Sequence, residues 1–183
     1  MNIYIMRHGS TVWNEVGITQ GRSHNRLSKL GKQQAEDKAK EYSKIKFDVI
    51  YCSPLMRTVQ TANIMNKYHN VKIIKTDHLI EIDQGVFTGR RKQDLTELEK
   101  QQKSAKLESL GMETWANAYV RASAFVEDLI NTCTYDDVLI VTHDYIATCV
   151  ENAILGKKVD YVNYKYFRDY KNAEIRKFVV TKR

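Results

Sequence analysis

The chain has 183 residues, of which 43% are hydrophobic and 28% are charged, so it is long enough to bury one substantial core. Three cysteines, an odd number without CxxC spacing, argue against a disulfide framework and against a zinc cluster. The net charge of +7 favours anionic ligands, either phosphorylated metabolites or nucleic acid. The lysines are scattered among acidic residues and no nucleic-acid motif is present, so we expect no nucleic-acid partner.

Two features of the chain bear on its compartment. No apolar run approaches the roughly 20 residues of a membrane helix, so we expect no membrane partner. The first five residues, MNIYI, lack the charged region and the cleavage site of a signal peptide. We therefore expect a cytoplasmic protein. The sequence makes no prediction of its oligomeric state.

Short apolar segments alternate with helical patterns along the chain. The segments predicted as strands are Ile3–Met6, Phe47–Tyr51, Val71–Lys75, Val138–Val141 and Ile175–Val180. The helical signals are a cap at Ser28, the Ser53-Pro54 opening, a long helix over Glu113–Asn131 and a last helix over Ile146–Leu155. This alternation predicts an α/β fold over residues 1–183, a three-layer α/β/α sandwich around a mainly parallel sheet. Residues 85–135 carry helical patterns but no strand, which predicts a small helical lid.

Charged and titratable residues follow four of the predicted strands. In parallel sheets, ligands bind beyond the carboxyl ends of the strands, so these residues are expected to converge at one edge. The residues at these positions, most of them charged or titratable, are Arg7, His8 and Gly9 after the first strand, Ser53 and Arg57 after the second, Asp77, His78 and Glu81 after the third, and Thr142, His143 and Asp144 after the fourth.

This set of residues favours an anion over a metal ion. Metal-ligand sets rarely include arginine, because its positive charge repels the ion, so we expect no metal. Guanidinium groups match the oxygens of a phosphoryl group, and imidazole can act as a nucleophile toward phosphorus. Neighbouring arginines would lower the pKa of His8 and leave its attacking nitrogen unprotonated. The adjacent Gly9 would let the backbone approach the phosphate closely.

Six segments of the sequence carry a family resemblance. They are MRHGSTVWN, ITQG, LSKLGKQQA, CSPLMRTVQTA, LIEIDQGVFTG and VLIVTHDYI. At these segments the chain resembles the histidine phosphatase superfamily, the phosphoglycerate-mutase-like enzymes. The matches run in the family's order from residue 3 to about residue 175, so the resemblance covers nearly the whole chain.

The resemblance implies a role for each matched residue. It implies that His8 is the nucleophile, that Glu81 is the general acid and base, and that Arg7, Arg57 and His143 hold the phosphoryl oxygens. It further implies that Asn14, Gln20 and Gly21 contribute to phosphate binding, and that no metal or cofactor is required. From the residues alone, Asp77 and Asp83 compete with Glu81 for the role of the acid.

The chain departs from the mutase branch at its acid motif. Glu81 is followed by Ile82-Asp83-Gln84, where the mutases carry Arg, His and Tyr, and the chain is shorter than typical mutases. Both departures favour a metal-independent phosphatase that acts on a small phosphorylated metabolite. The alternatives are a cofactor-dependent phosphoglycerate mutase and a phosphate-binding module without turnover. We expect selectivity to lie in the predicted lid.

Overall fold

The structure is a computed structural model that describes residues 1–157 and 170–181. In this part of the chain five strands form one sheet in the order β3-β2-β4-β1-β5. The strands are β1 (Asn2–Arg7), β2 (Val49–Cys52), β3 (Lys72–Lys75), β4 (Asp137–Thr142) and β5 (Ile175–Val179). The first four strands are parallel to one another, and β5 is antiparallel to β1. All five predicted strands are confirmed, with ends that differ by at most two residues.

Helices cover both faces of the sheet. They are α1 (Val12–Glu15), α2 (Lys29–Glu41), α3 (Met56–Met65), α4 (Glu97–Ala105), α5 (Trp115–Thr132) and α6 (Asp144–Ile154). Alternation along β1 divides the core, because successive strand residues point to opposite faces. Ile3 and Ile5 pack with α5 and α6, whereas Tyr4 and Met6 pack with α2 and α3. The predicted three-layer sandwich is confirmed.

Helix boundaries differ from the predictions in three places. Helix α3 begins at Met56 after Leu55, which provides no side-chain cap, so the predicted opening at Ser53 is wrong. Helix α5 begins at Trp115, capped by the Thr114 hydroxyl, and not at Glu113. Helix α6 begins at Asp144, directly after β4, whereas apolar periodicity placed its start two residues later. Arg57 in the first turn of α3 and His143 before α6 are polar residues of the candidate site, and apolar periodicity does not detect such residues.

Helix α5 packs on the sheet, so the part of segment 85–135 that covers the strand ends is the part before Trp115. Phe87, Leu95 and Met112 form a small separate core there. Backbone hydrogen bonds in both directions between residues 19 and 89–90 join this cover to the loop after β1. No helix in the described ranges is both long enough and apolar enough to cross a membrane.

Candidate active site

His8 lies at the carboxyl end of β1, where it is buried beside the neighbouring strand β4. Its Nδ1 lies 2.7 Å from the carbonyl oxygen of Gly9, so Nδ1 carries the proton and donates it. Its Nε2 accepts from Nε of Arg57 at 3.2 Å and is therefore the unprotonated nitrogen. Burial lowers the pKa of His8 well below its usual value, and the charges of Arg57 and Arg7 lower it further. The ring thus presents a free lone pair at neutral pH.

Gly9 has a structural role that the sequence did not predict. A Cβ at Gly9 would lie 2.3 Å from the carbonyl oxygen of Gly31 in α2, and a Cβ at Gly31 would lie 1.9 Å from the carbonyl oxygen of Ser10. Both glycines are therefore required where the loop after β1 crosses α2 backbone to backbone. This contact is a reason for the glycine that the sequence did not reveal, and the approach of the Gly9 backbone to phosphate stays a prediction. The close crossing positions His8 against the sheet.

Arg57 is at the centre of the site, with 1% of its surface exposed. Its Nε lies 3.2 Å from both Nε2 of His8 and Nδ1 of His143, so one N–H is shared between the two imidazoles. Its Nη1 and Nη2 donate to the carbonyl oxygens of Ser23 and Gly21 at 2.7 and 2.8 Å. Burial lowers the pKa of Arg57 to about 10, opposed in part by Glu81, and the group stays charged at pH 7.

His143 is held between α3 and the β2–α3 junction. Its Nδ1 accepts from Arg57, so its Nε2 carries the proton and donates to Oγ of Ser53 at 2.8 Å. Burial is the main cause that lowers the pKa of His143 well below its usual value, with a further contribution from Arg57. Sequence reasoning placed Ser53 among the residues that converge after the strands, and the only role that it gave to the side chain was that of a helix cap. The structure assigns it the orientation of the second imidazole.

Arg7 is anchored by Asp144 and Tyr170. Its Nη1 donates to the carbonyl oxygen of Tyr170 and lies 3.4 Å from Oδ2 of Asp144. Oδ1 of Asp144 accepts from the backbone N–H of Tyr170 at 2.9 Å, which joins the three residues into one network. The Nε of Arg7 is buried and has no hydrogen-bond acceptor in residues 1–157 and 170–181. This donor is therefore available to a ligand.

Glu81 is the buried carboxyl group of the site, with 8% of its surface exposed. Burial raises its pKa from 4.5 to about 7, against the lowering effect of the hydrogen bond from the Ile82 N–H and of Arg57. Oε1 accepts that N–H at 2.9 Å. Arg22, which sequence reasoning missed, donates from Nε to the Glu81 carbonyl oxygen at 3.1 Å and holds the backbone there. A carboxyl group with this pKa can both donate and accept a proton near pH 7.

The two competing aspartates lie outside the cavity that Glu81 lines. Asp77 is exposed at the start of a short 3₁₀ helix. Asp83 accepts from the Gly85 N–H at 2.9 Å and faces Arg22. The Asp83 carboxylate therefore has a structural use, and neither carboxylate shares a cavity with His8.

The three predicted phosphate-loop residues line the same cavity as His8. Oδ1 of Asn14 accepts from the backbone N–H of Thr11, and Oε1 of Gln20 lies 3.3 Å from Nδ2 of Asn25. Since each side-chain oxygen is occupied, each amide NH₂ group is left as a donor. The carbonyl oxygen of Gly21 accepts from Nη2 of Arg57, and the backbone N–H of Gly21 makes no hydrogen bond within the described part of the chain. These three groups brace the loop and retain donors for an anion.

The candidate catalytic cavity has a volume of about 90 Å³ and is lined by residues from five of the six segments that carry the resemblance, all but LSKLGKQQA. Arg7, His8, Arg57, Glu81, Asn14, Gln20 and Gly21 line it, together with Asp144 and Tyr145. His143 does not line the cavity, and it contacts this set through the hydrogen bond that its Nδ1 accepts from Nε of Arg57. Gln84, Lys92 and Lys103 also line the cavity, and sequence reasoning assigned none of the three to it. Lys92 and Lys103 lie on the cover, which has no strand periodicity that would place them at the site, and Gln84 directly precedes it.

The chain matches a known protein family along almost its whole length. A sequence profile described as "Histidine phosphatase superfamily (branch 1)" matches residues 3–183. The chain belongs to this superfamily. The match confirms the resemblance carried by the six segments, and with relatives named as phosphatases it supports the predicted phosphoric monoester hydrolase.

The proteins to which this chain is similar include named phosphatases and named phosphoglycerate mutases. Phosphoserine phosphatase 1 of Hydrogenobacter thermophilus (strain DSM 6534 / IAM 12695 / TK-6) is 33% identical over 162 residues, which are 85% of this chain and 77% of the relative. The probable phosphoglycerate mutase GpmB of Enterobacter sp. (strain 638) is 30% identical over 162 residues, 85% of this chain and 75% of the relative. The chain is thus similar to both phosphatases and mutases.

Solved structures share the fold. The α-ribazole phosphatase of Shigella flexneri superposes with a TM-score of 0.86 at 21% identity, over 100% of this chain and 92% of that one. A mycobacterial glucosyl-3-phosphoglycerate phosphatase complexed with VO3 gives a TM-score of 0.84 at 21% identity, over 96% and 91% of the two chains. At this identity the likeness shows the α/β fold and no more.

Proposed function

We propose that the protein is a metal-independent phosphomonoester phosphatase that acts on a small phosphorylated metabolite through a phosphohistidine on His8. One observation carries the proposal. The unprotonated Nε2 of His8 shares a cavity with Glu81, whose raised pKa leaves a proton on its carboxyl group near pH 7. A nucleophile and an acid in complementary protonation states are what phosphoryl transfer to nitrogen requires.

In the first step, Nε2 of His8 attacks phosphorus, and the P–O bond to the leaving group breaks. The carboxyl group of Glu81 gives its proton to the departing alkoxide. The bond from Nδ1–H to the Gly9 carbonyl oxygen stabilises the positive charge that the ring gains. Arg57 must release Nε2 of His8 before the attack, and an oxygen of the bound phosphoryl group can take over this donor.

In the second step, water attacks the phosphohistidine. The Glu81 carboxylate takes a proton from the water, the P–N bond breaks, and its electron pair returns to Nε2 of His8. Inorganic phosphate is released and Glu81 is protonated again, so both groups regain their starting states.

Positive charge for the transition state comes from the arginine donors. The free Nε of Arg7 and the second hydrogens on Nη1 and Nη2 of Arg57 can bind the equatorial oxygens, with the amides of Asn14, Gln20 and Gly21 as further donors. These fixed charges take the place that a metal ion has in other phosphatases, which supports a metal-independent reaction.

Hydrolysis is favoured over the mutase reaction by the residues after Glu81. The mutase motif has arginine and histidine after its glutamate, whereas this chain has Ile82 and Asp83. Ile82 is buried in the core, and Asp83 accepts a hydrogen bond from the Gly85 N–H. A phosphate-binding module without turnover is disfavoured by Glu81 itself, because a protonated acid beside a nucleophile adds nothing to binding alone.

The first experiment measures inorganic phosphate released from a panel of phosphomonoesters with EDTA present, for the native chain and for His8→Ala. Release that survives EDTA and is lost in the variant is the expected result. Interconversion of phosphoglycerates without net phosphate release would assign the mutase reaction instead. Release that persists in His8→Ala would overturn the proposed nucleophile.

A second experiment separates the two steps through Glu81→Gln and p-nitrophenyl phosphate. This ester has a leaving group that needs little protonation, so the variant should still form the phosphohistidine. Because the variant lacks the base for hydrolysis, we expect a burst of about one nitrophenolate per chain and an acid-labile phosphorylated protein. A steady rate equal to that of the native chain would rule out Glu81 as the base.

A further inference from the structure

A second cavity of about 470 Å³ adjoins the catalytic cavity under the cover. The two share Lys92, Lys103 and Tyr145 as lining residues. The second cavity is also lined by Leu95, Lys100, Ser104, Lys106 and Trp115. Basic and aromatic side chains therefore line it together, next to the space beside His8.

Two lysines of this cavity are held against residues of the catalytic cavity. The Nζ of Lys106 donates to Oε1 of Gln84 at 2.8 Å, and the Nζ of Lys103 donates to Oγ1 of Thr19. Gln84 and Thr19 both line the catalytic cavity. Lys103 itself lines both cavities, and the ammonium group of Lys106 stands one hydrogen bond away from the space that the phosphoryl group would occupy.

Lys106 is buried, with 3% of its surface exposed, and its surroundings compensate its charge only in part. Its Nζ lies 5.0 Å from the ring centre of Trp115 and 5.3 Å from that of Tyr145, within the range of cation–π attraction. Within residues 1–157 and 170–181, neither Lys103 nor Lys106 forms an ion pair with a carboxylate. One of three ammonium hydrogens of Lys106 goes to Gln84, which leaves two donors.

Burial is the main cause of low pKa values at both lysines. The pKa of Lys106 falls to about 7, although Glu81 opposes the change, and that of Lys103 falls to about 8. Buried ammonium groups without an anionic partner are costly, and a bound anion would offset this cost. A purely structural role would be served as well by an apolar side chain of the same length.

We propose that Lys103 and Lys106 form a second anion-binding site, which selects phosphomonoesters whose leaving group carries a further carboxylate or phosphate group. This proposal rests on the proposed function and narrows its substrate class. The phosphoryl group that is transferred lies against His8 and Arg57, and the second anion lies against the two lysines. The aromatic wall of Trp115 and Tyr145 packs against the carbon atoms between them.

Pairs of esters that differ in the second anion test this proposal. Glycerol 3-phosphate and 3-phosphoglycerate differ by one carboxylate, and fructose 6-phosphate and fructose 1,6-bisphosphate differ by one phosphate. We expect kcat/KM of the native chain to be about tenfold or more higher for the doubly anionic member of at least one pair. The pair that shows the preference identifies the carboxylate or the phosphate as the second anion.

Variants assign the preference to the lysines. Lys106→Met and Lys103→Met keep side-chain length, and each should lower the ratio of kcat/KM within the preferred pair about tenfold. Two variants are used because a change at buried Lys106 can impair folding, whereas Lys103 is less buried. The matched control is Lys67→Met, a surface lysine paired with Glu36, which should leave the ratio unchanged.

Binding to His8→Ala, measured by calorimetry, makes the test independent of turnover. Tighter binding of the doubly anionic ester that is lost when Lys106→Met is added supports the second site even if no ester is hydrolysed. Hydrolysis that depends on His8 but shows equal kcat/KM within both pairs would overturn the second site and leave the proposed phosphatase intact. A preference unchanged in both lysine variants would also overturn it.

Discussion

The Nε of Arg57 lies 3.2 Å from Nε2 of His8, so the proposed nucleophile is held by the residue that is expected to bind its substrate. This contact fixes which nitrogen of the ring is free of a proton. It also means that Nε of Arg57 occupies the lone pair of His8 Nε2 until a phosphoryl oxygen replaces the imidazole as the hydrogen-bond acceptor. Four predictions depend on this contact and on the groups that maintain it.

Arg57→Lys should lower kcat/KM about 10²- to 10³-fold, the range for loss of a donor to a transition-state oxyanion. Lysine cannot reproduce the fork that reaches His8, Ser23 and Gly21 together, so the carbonyl oxygens of the phosphate loop lose their donors as well. Steady-state kinetics measure the change. The control is Arg26→Lys, an exposed residue, and an equal loss in both variants would contradict the prediction.

The pH profile of kcat/KM should fall above about pH 7, because the Glu81 carboxyl group must be protonated to act as the acid. The negative charge of Asp144 helps to raise the pKa of Glu81. In Asp144→Asn the alkaline limb should therefore move to lower pH, and activity should fall because Arg7 loses its ion pair. Asp128→Asn, on the exposed face of α5, should leave the limb in place. An alkaline limb that is unchanged in Asp144→Asn would contradict this electrostatic contribution.

Glu81→Gln should stabilise the protein above pH 7 while it lowers turnover. The folded pKa is raised from 4.5 to about 7, so the native chain binds more protons than the unfolded chain between these values and loses stability as the pH rises. The full loss is about 3 kcal/mol above pH 7 and is absent below pH 4.5. Urea unfolding at pH 4 and pH 8 measures it. A stability difference between the native chain and the variant that is the same at both pH values would contradict the pKa shift.

Gly31→Ala should destabilise the protein by about 1–3 kcal/mol or more and lower activity at the same time. The new Cβ would lie 1.9 Å from the Ser10 carbonyl oxygen, and the loop that carries His8 would have to move. Thermal unfolding and phosphate release measure the two effects. The control is Gly17→Asn, since this position has open space and a φ of +70°, which asparagine tolerates. Native-like activity and stability in Gly31→Ala would show that the loop does not depend on the crossing.

How much of this protein could be predicted depends on the kind of signal involved. Strand alternation and the residues after each strand are local patterns, and they predicted the sheet, its layers and the residues from Arg7 to His143 that share the site. Helix starts were predicted less well, because Ser53 and Glu113 make tertiary contacts in place of helix caps.

The sequence by itself determined the fold class, the family and the convergence of two arginines, two histidines and a carboxyl group, because parallel strands bring their ends together whatever lies between them. Only the tertiary structure decided which ring nitrogens are unprotonated, since this depends on one shared N–H of Arg57. It alone showed that Gly9 and Gly31 meet backbone to backbone and that Lys106 is buried against two aromatic rings. Burial and contacts between segments distant along the chain set these properties, and no local pattern records them.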